Sequence, residues 1–160
     1  MSRFAMLRLA RSRLAVFLLL GAVCVLSAQS AAAEIIVERP WARASAGAGG
    51  NAAVFMTLRN AGGTADRLIG AETPAAGMAG LHGHSRQDNF MRMRPVESIE
   101  VPAEATVELA PGGLHVMLMQ VKTPLREGDR FALTLQFERG DAVTLEVPVA
   151  AIGALGPPAQ

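Results

Sequence analysis

The three histidines of the chain, His82, His84 and His115, all fall between Leu81 and Met119. Four of the six methionines beyond the N-terminal segment lie there too: Met91, Met93, Met117 and Met119. The dense ends of this stretch read LHGH and LHVMLM, with MRM between them. Imidazole nitrogen and thioether sulfur both ligate metals, and thioether is a soft donor. A mixed His/Met set suits Cu(I), whereas zinc, calcium and magnesium seldom take thioether. Taken singly, each residue has a plainer reading: Met fills irregular core gaps, and a lone His is commonly a satisfied structural residue. The clustering is what favours metal binding.

These side chains need a scaffold that brings distant segments together. Short apolar alternations separated by turn signals recur after residue 33, with no convincing helical period. Strands are predicted at 35–44, interrupted by Pro40, and at 52–59, 66–71, 90–96, 99–101, 106–109 and 115–121. Two more, at 131–138 and 143–149, form a hairpin around Arg139-Gly140-Asp141. Residues 72–80 read as a loop leading into LHGH, and Arg86 to Asn89 as a hairpin turn. Strands at this spacing predict an all-β, antiparallel sandwich or Greek-key barrel. On the strand from His115, the period of two puts His115, Met117 and Met119 on one face and Val116 and Leu118 on the other. The β-carbons of His115 and Met117 are then roughly 6–7 Å apart, close enough to converge on one ion. By the same rule Met93 shares a face with Met91, and His82 with His84. Trp41, Phe55 and Met56 are expected in the core, and Met78 in the loop.

The first 33 residues read as a secretory signal peptide. Arg3, Arg8, Arg11 and Arg13 form a basic region. Leu14 to Ala28 is apolar, and Ala31-Ala32-Ala33 offers an A-x-A cleavage site. The apolar run has 15 residues, too few for a stable membrane span. Cleavage after Ala33 removes four of the 15 basic residues, leaving 11 Lys and Arg against 14 Asp and Glu, a net charge of −3. Without a basic patch there is no electrostatic case for nucleic acid. The one cysteine, Cys24, lies inside the signal, and Gly21-Ala22-Val23 before it does not resemble a lipoprotein cleavage box. The mature chain therefore has no thiol for a disulfide, for catalysis or for a blue-copper site. The Ala/Arg-rich signal points to a bacterial periplasm. The expected organisation is a signal peptide at 1–33, a β-barrel domain at 34–150 and a flexible tail at 151–160.

The spacing His82, ten residues, Met93, twenty-one residues, His115, one residue, Met117 resembles the H-x10-M-x21-H-x-M signature of the periplasmic PCu(A)C (DUF461) copper chaperones. The segments WARA at 41–44, AAVFM at 52–56, MRMRPV at 91–96, PGG at 111–113, LHVMLM at 114–119 and PLREGD at 124–129 are also similar to the family pattern. The resemblance implies a cupredoxin-like Greek-key β-barrel holding one Cu(I) at an exposed edge. The implied ligands are His82, Met93, His115 and Met117. It further implies delivery of copper to acceptors such as the CuA centre of cytochrome c oxidase subunit II. Some members carry a His/Met-rich tail with a second copper site. Here the tail has neither residue, so a single site is expected; the chain is also expected to be a monomer.

Other functions fit less well. A metal hydrolase wants carboxylate or a third imidazole rather than thioether, and no Ser nucleophile motif accompanies the histidines, so no enzyme is expected. An electron-transfer cupredoxin needs the cysteine that the mature chain lacks. A structural or interaction sandwich with an incidental His/Met cluster is the alternative that a Cu(I) titration separates. Within the cluster, His84 is expected as a solvent-facing neighbour and Met91 and Met119 as packing residues. Arg92 and Arg94 are expected on a solvated face.

Overall fold

The computed structural model describes residues 32–87 and 90–158. Nearly all of the expected signal peptide, the Asp88-Asn89 tip of the expected turn and the end of the tail lie outside the described residues, as does the side chain of Met91. Ten strands follow in order: β1 (Ile35–Arg43), β2 (Ala52–Asn60), β3 (Asp66–Glu72), β4 (Ala76–Gln87) and β5 (Phe90–Pro95), then β6 (Ile99–Val101), β7 (Thr106–Leu109), β8 (His115–Val121), β9 (Arg130–Phe137) and β10 (Val143–Ala150). No helix occurs among the described residues, and so none long and apolar enough to cross a membrane. The all-β fold expected from the alternation is the fold found.

The strands are hydrogen-bonded in the order β5-β4-β8-β2-β1-β10-β9-β3-β6, with β7 paired to β2. All ladders are antiparallel except a short parallel one, Ala42 with Val149 and Arg43 with Ala150, where β1 meets β10. This ladder joins the two layers of the sandwich. One layer turns Leu81, Val54, Val116 and Leu118 inward, and the other turns Leu68, Leu133, Leu135 and Val147 to meet them in one core. Strand β9 shows the pattern plainly: Phe131, Leu133, Leu135 and Phe137 are buried while the residues between them are not. On β1 the register shifts between Glu38 and Trp41. Arg39 there has φ 48°, and Pro40, which has no N–H for the ladder, sits in the bulge.

One expectation needs correction. Residues 76–80 are not loop but the first half of β4. The sequence AGMAG has little strand propensity, yet Ala76 pairs with Val121 and Met78 with Met119. The neighbouring strand supplies the hydrogen bonds that local propensity does not favour. Met78 is accordingly an outward strand residue, 52% exposed. The tail segment after β10 has a foothold on the barrel: Ala154 packs against Trp41, Phe55 and Ala150, and its carbonyl accepts a hydrogen bond from Arg43 Nε at 2.8 Å.

Candidate metal centre

The site forms on the outer face of the layer β5-β4-β8-β2. His82 on β4 stands directly opposite His115 on β8, which sets their β-carbons about 5 Å apart. Their rings stack with centroids 5.9 Å apart and 26° between planes. His84, two residues along β4, brings its ring to 5.4 Å from that of His115. Met93 on β5 is the cross-strand partner of His84. Met117 lies opposite Gly80 on one side and Ala53 on the other. Small neighbours on both flanks leave the space above Met117 open.

A turn fixes the imidazoles. Ala110 to Gly113 closes with a hydrogen bond from the Gly113 N–H to the Ala110 carbonyl at 2.9 Å. Pro111 occupies the second position and Gly112, at φ 84°, the third, the arrangement of a type II turn. The turn presents the Gly113 carbonyl to two rings at once. His115 Nδ1 lies 3.1 Å from it and His84 Nδ1 3.2 Å. His82 Nδ1 lies 3.3 Å from the Gly80 carbonyl. A carbonyl oxygen only accepts, so each of these bonds requires the proton on Nδ1. In the neutral tautomer with that proton, Nε2 carries the free lone pair that a metal-binding imidazole needs.

His115 is the deepest of the three, 1% exposed. It lies on the outward face of its strand but is roofed by other rings. Phe55 is centred 6.1 Å away and Trp41 4.7 Å beyond Phe55. Burial lowers the pKa of His115 below its ordinary value of 6.5. The bond to the Gly113 carbonyl opposes this shift, and the nearby His84 and His82 add to it. The ring is therefore neutral at neutral pH. Its Nε2 is buried without a hydrogen-bond partner. An orphaned buried acceptor is rare, because it forfeits its water for nothing. Here it points to a ligand.

A shallow cavity of about 210 Å³ is lined by His115, Met117 and Met93, together with Arg43, Ala53 and Ile152. Met93, 45% exposed, forms its outer lip. His82, opposite His115, shares this outward face with Met93, His115 and Met117 but does not line the cavity. Among the described residues no set of three or more His, Cys, Asp or Glu is arranged to hold a metal. Beside the imidazoles, this face offers the thioethers of Met93 and Met117.

The solvent-facing placement expected for His84 is met only in part, for its ring is half-buried and tied to the Gly113 carbonyl. The sequence reading also passed over Arg43. Its guanidinium stands 5.5 Å from the Phe55 ring centre and lines the cavity. Its place in the WARA segment was a signal. That it faces outward depends on the bulge at Arg39.

Residues 35–149 match the profile of the LpqE-like family, described as "Putative lipoprotein LpqE-like". The chain belongs to the LpqE-like family. This LpqE-like chain is 37% identical over 114 residues to "Putative lipoprotein Lxx21020" of Leifsonia xyli subsp. xyli, a match covering 71% of the chain and 68% of that protein. Among solved structures it is similar to the copper-bound PCuAC domain from PmoF2, with 29% identity, TM-score 0.63, and coverage of 76% of this chain and 96% of that one. It is also similar to the Cu(I) form of DR1885 from Deinococcus radiodurans, with 32% identity, TM-score 0.52, and coverage of 77% and 85%. The resemblance to PCu(A)C copper chaperones read from the sequence is borne out, and with it the cupredoxin-like fold.

Proposed function

We propose that this LpqE-like chain is an exported Cu(I)-binding metallochaperone whose ligands are His82, Met93, His115 and Met117. The observation that carries the reading is the buried, unpartnered Nε2 of His115 beside a cavity shared with Met93 and Met117. The copper-bound PmoF2 domain and Cu(I) DR1885 support copper as the ion. The donor set supports the lower oxidation state. Two neutral imidazoles and two thioethers bring no charge to the ion, and soft sulfur favours Cu(I) over Cu(II) and zinc. The Arg43 guanidinium at the cavity acts in the same direction, since a doubly charged ion is repelled more than a singly charged one. Without thiolates, affinity is lower than at a cysteine pair and the ligands do not oxidise to a disulfide. Both properties suit a carrier in an oxidising compartment, from which copper passes to acceptors such as the CuA centre of cytochrome c oxidase subunit II. The signal-like segment at 1–33 supports export.

The test is a competition titration with a Cu(I) chelator. It uses protein recovered from the periplasm, whose intact mass reports cleavage after Ala33. One tightly held Cu(I) per chain is expected, with copper passing on to an isolated CuA domain. His82→Ala and His115→Ala should weaken binding most, because imidazole is the stronger donor. Met93→Leu and Met117→Leu should weaken it less and shift preference towards Cu(II). Indifference of the affinity to all four substitutions would leave an interaction sandwich as the better reading.

A further inference from the structure

We propose that Met78 and Met119 form a second, weaker Cu(I) site beside the first, a two-thioether station through which copper enters and leaves. The inference rests on the Cu(I) reading above. The two methionines are direct cross-strand partners on β4 and β8, so their β-carbons are about 5 Å apart. They stand on the same outward face as His82 and His115. Met78 is 52% exposed and Met119 half-buried. Both line a shallow depression with Glu72, Thr73 and Ala76. A methionine that serves packing hides its sulfur in the core, as Met56 does at 2% exposure. Met78 does the opposite.

What links the pair to the main centre is Gly80. It sits between Met78 and His82 on the same face of β4, opposite Met117. A β-carbon there would stand 3.6 Å from Met119 Cε and 3.5 Å from His82 Cε1. Together these distances bound the separation of the Met119 methyl and the His82 ring at about 7 Å. With no side chain at Gly80, that residue puts nothing between them. A monovalent ion on the Met119 sulfur is thus one short ligand exchange from the imidazole, with no change of oxidation state. Two neutral thioethers suit Cu(I) and no hard cation. Glu72 is the one charged residue lining the depression, and its carboxylate favours a cation there. Weak binding is what a transit site requires, since an ion held tightly would not move on.

The experiment follows the methionine methyls by NMR in the 13C-methyl-labelled chain during anaerobic addition of acetonitrile-stabilised Cu(I). The first equivalent should move Met93 and Met117. Past one equivalent, Met78 and Met119 should move together, and desalting should reverse that second movement alone. No movement of the pair, or movement of Met78 without Met119, overturns the second site. Unmoved Met93 and Met117 at one equivalent would instead sink the main-site reading, while joint movement of Met78 and Met119 would still establish theirs. The double variant Met78→Leu with Met119→Leu keeps apolar bulk and removes both sulfurs. It should retain the main-site affinity and exchange Cu(I) with a chelator several-fold more slowly. An unchanged exchange rate would overturn the transit role.

Discussion

At His115 burial and chemistry pull in opposite directions. Removing the ring from water penalises its charged form and leaves Nε2 with nothing to bond. An unsatisfied buried polar atom costs about 1–3 kcal/mol, a cost that a metal ion would offset on binding. The pH consequence has a definite sign. Below its ordinary value of 6.5 the unfolded ring takes a proton that the folded ring, with its lowered pKa, still refuses. The unfolded state then binds more protons, so apo stability falls as pH drops through that window and is fully present above it. Urea unfolding of the apo protein from about pH 7.5 to about pH 5 should show the decline. In His115→Leu this contribution should vanish. A decline of the same size in the variant would assign it to other groups. Cu(I) affinity should hold through that window and fall only at lower pH, where the folded ring itself takes a proton and stops being a ligand.

Among the elements, β8 was legible and β4 only half so. The run HVMLMQV alternates, is rich in strand formers and occupies the predicted residues. Its two faces follow from the period of two, which is why His115 and Met117 could be paired from sequence. The first half of β4 carries Ala and Gly where strand signals would be. Only pairing with β8 reveals it, and with it the outward place of Met78. The Gly113 carbonyl and the Phe55 roof were equally hidden, because both are contacts between segments distant in sequence. The opposite layer has its own buried polar device. Asp66, 2% exposed, accepts the N–H groups of Arg67, Arg139 and Gly140 at 2.7, 3.0 and 2.9 Å, which closes the β9–β10 hairpin onto β3. Asp66→Ala strands those donors and should cost about 3 kcal/mol. Denaturant unfolding measures the loss. Because Asp66 lies on the layer away from the histidines, copper affinity in the folded fraction should be unchanged.

For the whole molecule, one layer of the sandwich does two jobs. Its inner face completes the core through Leu81, Val116 and Leu118, while its outer face carries His82, His84, Met93, His115 and Met117. The second small cluster of Trp41, Phe55 and Ala150, with Ala154 of the tail packed on it, shields one side of that outer face. The proposed ion site is thus buried at His115 and open at Met93, which would shelter a soft ion on one side and leave it a way out on the other. In the proposed site copper would also tie segments from three strands, and the fold must hold them in register before it arrives. The most direct measurement is X-ray absorption at the copper edge of the chain loaded with one equivalent of Cu(I). Two imidazole nitrogens and two thioether sulfurs are predicted around the ion, with both sulfurs absent from the spectrum of the Met93→Leu, Met117→Leu double variant. A shell of three imidazoles without sulfur would contradict the ligand set and put His84 in place of the methionines.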